Sequence, residues 1–556
     1  MKTIRVPLAL AMIMVLAAST SVGSARQARS LAGDWIGRLD IAAQPAFLRV
    51  IVSGTERELW TADLILQPLD LMSPVPAESR RIVESWRGAR LAVDAASWSV
   101  VAGTVPDQIR LDVRTTGNAS VATVSFRNRT AQIPLHHLAI ADRARERQYA
   151  GTYRLPHGER IHIWRPSIGG PVMSGLGRPD GFLTYLEETT GRSGNLYPVG
   201  SDSYIAGPTS VLPDPVHVRV TFREDSKGGS QLTWERTGSK AVAAAKSPAY
   251  RIEDVELKGF GGRLGCDLLR PESGKVPAVV LVPGAGANDR SAMHMIAQVL
   301  AEHGVAALTC DKRGTGTSDG DWQLTSFEQQ AEDVAAGVQF LQQRQEVDAN
   351  RVGLFGYSEG AWVAPILAAE NAQVGFLILS AVPATSRRES LRITNAERLR
   401  RDGVSASEIA RNREFYGRYQ QAIIDNDAAA IDQLWRQYAG ASWLPAPMPT
   451  AKTLNDGSWQ RARLTWPHEP GPVLRKIRCP ILAVWGAGDE VFLPRVHRPL
   501  FEQAMLDSRN EDSTVRVIAG ANHSFLRVAP SFTEVVGYAP EYFRTILDWL
   551  NTKVRK

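Results

Sequence analysis

Between residue 26 and about residue 250 the chain changes polarity in steps of two. Ile109, Leu111 and Val113 alternate with Arg110, Asp112 and Arg114, and Val216, Val218, Val220 and Phe222 alternate with His217, Arg219, Thr221 and Arg223. A period of two sends successive side chains to opposite faces, so these runs predict half-buried antiparallel strands. Turn-forming clusters, Thr115-Thr116-Gly117-Asn118 and Lys227-Gly228-Gly229-Ser230, separate such runs. From Arg251 the pattern changes. Candidate strands at 278–282, 305–310, 351–355, 375–380, 481–485 and 514–518 alternate with helices, which implies a mostly parallel, buried sheet. Helical stretches at 290–303, 327–344, 359–370 and 540–553 lie between or after them, and Ser326 with Gln329 forms a capping box for the second. Strands alternating with helices predict an α/β unit with a doubly wound, mostly parallel sheet. The β-rich part predicts one or two small barrel or sandwich domains in front of it.

At 556 residues the chain is too long for one core, and two to four domains are expected. The charged stretch DRARERQ, residues 142–148, divides the β-rich part, so the expected units are 26–147, 148–250 and 251–556. Lys2 and Arg5, the apolar run 6–18 and the small residues Gly23-Ser24-Ala25 predict a cleaved signal peptide over 1–25 and a secreted or periplasmic product. No other apolar stretch approaches the ~18 residues of a membrane span, so no transmembrane segment is expected in the mature chain. The net charge of +6 is spread along the chain without a basic run, which argues against a nucleic-acid partner. Cys266, Cys310 and Cys479 border apolar strands and read as small buried residues; one disulfide among them stays open. Their spacing matches no metal site, and His-Glu-x-x-His is missing, so neither metal nor cofactor is expected.

The chemistry is concentrated in Arg351-Val352-Gly353-Leu354-Phe355-Gly356-Tyr357-Ser358-Glu359-Gly360-Ala361. An apolar strand ends in Gly-x-Ser-x-Gly and a helix follows, the context in which a sharp turn exposes a nucleophilic hydroxyl at Ser358. A hydroxyl is a weak nucleophile at neutral pH and needs a base, which in turn needs an acid to hold its tautomer. Downstream, strand 479–485 runs into Gly486-Ala487-Gly488-Asp489, and strand 514–518 is followed by Gly520-Ala521-Asn522-His523. The candidate catalytic residues are therefore Ser358, Asp489 and His523. The backbone N–H groups of Glu359 and Ala285 are the candidate oxyanion hole, Ala285 standing in the small-residue loop after strand 278–282.

From Arg251 onward the chain resembles the serine hydrolases of the α/β-hydrolase superfamily, in the branch that holds dienelactone-hydrolase-like and serine-aminopeptidase-like (S33) proteins. Three segments carry the resemblance: VPAVVLVPGAGANDR (276–290), DKRGTGTSDGD (311–321) and GLFGYSEGAWVAP (353–365). The family usually has His where this chain has Pro283 and Tyr357. The resemblance implies an α/β-hydrolase sheet with a helical lid inserted at about 381–477. Its aromatics, among them Phe415, Tyr419, Trp435, Trp443 and Trp459, either cover an acyl group or pack the lid's own helices. In the 311–318 loop, Asp311 and Arg313 are expected to tie the turn near the elbow. Gly33-Asp34-Trp35-Ile36-Gly37-Arg38-Leu39 resembles the start of small β domains that precede some secreted hydrolases, and Gly151-Thr152-Tyr153-Arg154-Leu155 opens the second β unit in the same style. Those units read either as a substrate-gating module or as a packing domain.

The function expected is hydrolysis of a small-molecule carboxylic ester or thioester. The alternative is a serine exopeptidase or amidase acting on a short peptide, with Glu359, Glu389 or Asp321 receiving the free amino terminus. A non-catalytic binding protein on the same scaffold is the reading from a different class, and the complete Ser-Asp-His set argues against it.

Overall fold

The computed structural model describes residues 31–555, apart from 42–43, 55–59, 69–83, 95–96, 117–118, 167–181, 208–215, 225–228, 273, 445–452 and 529–534. The leader expected over 1–25, the turn residues Gly117-Asn118 and Lys227-Gly228, and part of the lid lie outside the described residues.

Two closed barrels, each of eight antiparallel strands, come first. The first runs from Gly33–Ile41 to Arg129–His137 and closes where Trp35 lies opposite His137. Its strand Ile109–Thr116 buries every second residue, as the alternation predicts. Leu48, Val50, Leu64, Trp98, Leu111 and Val124 fill the interior. The helix Arg143–Tyr149, capped by Asp142, leads into the second barrel, where Gly151–Arg154 pairs with both Arg160–Trp164 and Val242–Lys246. Its interior is aromatic, with Tyr149, Tyr153, Tyr185, Tyr204, Phe222 and Trp234.

The second barrel departs from the half-buried pattern on one side. The strand Ser193–Pro198 is buried at every residue, and Leu183–Glu187 at all but one. Leu183, Tyr185 and Leu196 face the barrel interior, while Trp164 and Leu186 belong to the core of the third unit. A barrel strand buried on both faces needs a partner outside. Here the partners are the strand Val535–Tyr538, whose Gly537 bridges Arg192 beside Ser193–Pro198, and the helix His294–Glu302, whose Gln298 donates to the carbonyl of Ile163 on Arg160–Trp164 at 2.9 Å. The buried Glu302 accepts from Arg154 at 2.6 Å and Arg160 at 3.3 Å. Glu188 lies 2.9 Å from the His162 ring and 2.7 Å from that of His303. Burial opposes ionisation of Glu188, yet the hydrogen bonds of His162 and His303 hold its carboxyl well below the usual range.

The third unit is built on one eight-stranded sheet. Its order across the sheet is Tyr250–Gly259, Gly262–Pro271, Ala306–Cys310, Val276–Val282, Val347–Tyr357, Leu377–Ser380, Ile481–Gly486 and Ser513–Ile518. Gly262–Pro271 runs antiparallel to both neighbours, and the strands from Ala306–Cys310 onward are parallel. Val276–Val282 and Ile481–Gly486 are buried throughout, which is why they read as unbroken apolar runs. The opening hairpin is hidden from that reading because Tyr250–Gly259 is largely exposed and mixes charged with apolar residues. The expected capping box is present, with Ser326 and Gln329 each bonding the other's backbone N–H.

Cys266 and Cys310 face each other across adjacent strands and form a disulfide, while Cys479 is free. The bond spans a sequence separation of 44. Closing such a loop removes chain entropy from the unfolded state worth about 2–4 kcal/mol. The double change Cys266→Ala, Cys310→Ala is expected to lower the urea midpoint accordingly. A midpoint equal to the parent's, with no further shift on adding reductant to the parent, would show that the bond does not form.

The insertion after Leu377–Ser380 carries the helices Arg387–Arg401, Ala406–Ile424, Ala428–Gln437, Gly457–Thr465 and Pro470–Leu474. It has its own core. Phe415 stacks on Tyr419 and packs against Tyr438 and Trp443, and Trp459 meets Tyr419 edge-on. The indole N–H of Trp443 donates to Glu408 at 2.9 Å, and Trp435 is exposed. Of the two uses expected for these rings, the structure places Phe415, Tyr419, Tyr438 and Trp443 in the second, packing the lid's own helices.

Candidate active site

Ser358 stands between the strand Val347–Tyr357 and the helix Gly360–Glu370, at φ +52°. A left-handed backbone is unfavourable for a serine, and the surrounding contacts must hold it there. The Ser358 N–H donates to the Ser380 carbonyl at 2.9 Å, and its carbonyl accepts from Ala361 at 2.9 Å. The flanking glycines make the turn possible. A Cβ on Gly356 would lie 2.5 Å from the Gly360 carbonyl oxygen, and one on Gly360 would lie 2.1 Å from that of Val282. Both obstacles are backbone, which cannot swing aside. Gly360→Ala is therefore expected to cost most of the soluble folded protein, or to move Ser358 enough to remove activity. A folded, fully active Gly360→Ala protein would contradict this geometry.

The Ser358 hydroxyl lies 3.0 Å from Nε2 of His523, and Nδ1 of that ring lies 3.0 Å from both carboxylate oxygens of Asp489. With the ring proton on Nδ1, Nε2 is left as the acceptor facing Ser358. Asp489 is 1% exposed, and its Oδ1 also accepts the N–H groups of Val491 at 2.9 Å and Phe492 at 2.8 Å. The His523 ring packs between those of Tyr357 and Phe492. Asn522 shapes the loop by accepting from Ser524 and Leu526, both at 3.0 Å. His497, the other histidine of this region, is fully buried and accepts from the Ala384 N–H at 3.0 Å. Burial pushes its imidazole down to about 4, against the pull of Asp489.

The loop after Val276–Val282 lies against the elbow, where a Cβ on Gly284 would be 3.4 Å from that of Ser358. The Asn288 side chain donates to the carbonyls of Gly284 and Ala285, each at 2.9 Å, and Lys312 also donates to that of Gly284. In a trans peptide the C=O and the following N–H point in opposite directions. Engagement of the Gly284 carbonyl therefore turns the Ala285 N–H the other way. The same logic holds at Glu359, whose N–H opposes the Ser358 carbonyl bonded to Ala361. Asn288 escapes sequence reasoning because an asparagine in a loop carries no sign of what it holds.

Glu359 is the larger surprise. Its carboxylate is 1% exposed and meets three cations: Lys312 at 2.9 Å, Arg387 at 2.8 Å and Arg461. Burial opposes its ionisation, but Lys312, Arg461 and Arg387 together hold the carboxyl far below the usual range. Burial lowers Lys312 in turn, although Glu359 pulls it upward. Lys312 comes from the loop after Ala306–Cys310, and both arginines come from the insertion, so this cluster fastens the lid to the elbow. The expectation for Arg313 is corrected here. It pairs with Asp333 and the Phe260 carbonyl, tying its loop to the helix Phe327–Gln342, and its neighbour Lys312 is the residue that reaches the elbow. Asp311 accepts from Thr317 within the loop and from Arg290 outside it, which ties the loop to the turn at 290–293. A charged residue beside Ser358 is visible in the sequence, but its partners are scattered from Lys312 to Arg461.

Comparison with known proteins adds to this geometry. A family model for X-Pro dipeptidyl-peptidase (S15 family) matches residues 261–508. Thiohydrolase apmlB of Arthrinium phaeospermum is 32% identical over 133 residues, 24% of this chain and 43% of that protein. Esterase EstD of Thermotoga maritima is 29% identical over 143 residues, 24% of this chain and 33% of that protein. The chain thus spans less than half the length of these curated relatives. Among solved structures, esterase Pf2001 of Pyrococcus furiosus is similar with a TM-score of 0.36 and 17% identity, over 55% of this chain and 92% of that one. The family match begins at residue 261, beyond both barrels. The strand order and the elbow at the centre of the sheet give residues 250–555 the α/β-hydrolase fold, and the family model matches 261–508 within them.

Proposed function

We propose that the chain is an exported serine hydrolase that cleaves a carboxylic ester or thioester. The carrying observation is the run of hydrogen bonds from Ser358 through His523 to Asp489 at a strained turn. In this reading His523 takes the Ser358 proton as Oγ attacks the carbonyl, and Asp489 stabilises the imidazolium. The N–H groups of Glu359 and Ala285 receive the oxyanion. His523 returns the proton to the leaving group, and a water activated by the same ring resolves the acyl-enzyme. The names of two relatives, a thiohydrolase and an esterase, fit this class. Export is supported by the basic and apolar leader and by the Cys266–Cys310 bond, which suits an oxidising compartment.

The S15 match favours a peptidase as the second reading. A peptidase that trims from the amino terminus needs an acid free to bind the ammonium. Glu359 is already matched by three cations, Glu389 pairs with Arg392 and Arg413, and Asp321 caps its own turn. None of the three fits that task, which favours the ester.

The test is a panel of p-nitrophenyl esters and aminoacyl-nitroanilides on the purified chain. Ester turnover that exceeds anilide turnover by orders of magnitude is expected. Preferential cleavage of the anilides would establish the second reading, and no turnover with no acylation would leave a binding protein.

A further inference from the structure

A cavity of about 160 Å³ lies where the second barrel meets the catalytic unit. The barrel contributes Trp164, Thr184, Ser193 and Asn195. The catalytic unit contributes Met293, Ile296, Phe355, Tyr357, Ser524 and Phe525 among others. Most of the wall is apolar. Tyr357 and Ser524, hydrogen-bonded to each other at 3.2 Å, are the immediate chain neighbours of Ser358 and His523. A cavity of about 150 Å³ lined by apolar groups accommodates benzene, so this one has room for a ring or a short branched chain.

One wall residue asks for a polar partner. Asn195 is 2% exposed, and its Nδ2 donates to the Tyr197 hydroxyl at 3.3 Å, but its Oδ1 is buried with no partner among the described residues. Rotating the amide by half a turn only exchanges which end is left over. A buried amide end without a partner is costly, and in native structures it calls for an explanation. A hydroxyl on an occupant of the cavity would satisfy it.

We propose that this interdomain cavity is a binding site for a small apolar group carrying one hydrogen-bonding head, read by Asn195. The second barrel is then part of the recognition apparatus and not only a packing partner. The occupant is either a portion of the ester substrate, which rests on the hydrolase reading, or a separate small molecule of the same chemistry, which does not.

The test uses the full chain carrying Ser358→Ala, so that binding is measured without turnover. Fluorine NMR titrations compare 4-fluorophenol with fluorobenzene, which differ only in the hydroxyl. The phenol is expected to bind about five-fold more tightly, the effect of one hydrogen bond. Asn195→Leu should remove that difference. Ala292→Trp should abolish binding of both probes without loss of melting temperature, because Ala292 lines the cavity yet is itself exposed. Two kinetic arms on the active chain separate the sources. If the site holds part of the substrate, Ala292→Trp lowers kcat/KM for phenyl acetate or ethyl benzoate at least ten-fold and leaves ethyl acetate unchanged. If the site holds a separate molecule, all three esters keep their rates and 4-fluorophenol alters the rate of the parent but not of Ala292→Trp. Absence of probe binding, or binding untouched by both variants, overturns the proposal, whatever the esterase assays give.

Discussion

Replacing Ser358 by Ala is expected to lower kcat on the best ester by roughly 10⁴–10⁶-fold while KM changes little. The hydroxyl makes its bond only in the chemical step, so its loss falls on the transition state and not on the bound ester. His523→Ala should cost about as much, since a serine without its base is again a weak nucleophile. Asp489→Asn should cost somewhat less, because it leaves the ring in place but favours the wrong tautomer. The three losses should not add, because the three groups act as one unit. The check is steady-state kinetics on the three single variants and the triple variant. A Ser358→Ala protein retaining more than a tenth of the parent rate would remove the triad from the chemistry.

Glu359→Gln is expected to destabilise the fold by about 3–5 kcal/mol, the typical cost of leaving buried charges without their counterion. Glutamine keeps the size and the backbone, so the Glu359 N–H proposed for the oxyanion is not deleted. What is lost is the carboxylate that holds Lys312, Arg387 and Arg461. Two of those cations belong to the lid, so limited proteolysis should cut the variant within 381–477 before the rest of the chain. The pH dependence has a definite sign. The folded carboxyl of Glu359 is held below its unfolded value, so its contribution is complete above the unfolded pKa of about 4.3 and fades as the pH falls below it. The gap between parent and variant in urea titrations should therefore be constant from pH 6 to 8 and shrink under acid conditions. A gap below about 1 kcal/mol at pH 7 would show that the cluster contributes little.

How much of this was legible in the sequence depends on how local the signal is. Period two marks the barrel strands, because each strand carries its own alternation. Closure of the barrel is not marked, because it depends on Trp35 in the first strand meeting His137 in the last. The buried strands of the sheet show as apolar runs, whereas the hairpin Tyr250–Pro271, at the edge and half polar, does not. At the site, Ser358, Asp489 and His523 each follow a strand of the sheet, and the structure brings them within hydrogen-bonding distance. The ion cluster is illegible, since Glu359, Lys312, Arg387 and Arg461 belong to four segments that only the fold assembles. So is the docking of the second barrel. Ser193, Asn195 and Tyr197 look like any outward strand face until the strand Val535–Tyr538 of the third unit packs against theirs.

The most direct test of the central claim is to label the folded chain with a fluorophosphonate and locate the adduct by tandem mass spectrometry. A single adduct on Ser358 is expected, formed in the native protein, not formed when the chain is denatured before labelling, and formed at least a hundred-fold slower in His523→Ala. An adduct on another residue, or labelling of Ser358 that proceeds at the same rate without His523, would contradict the account.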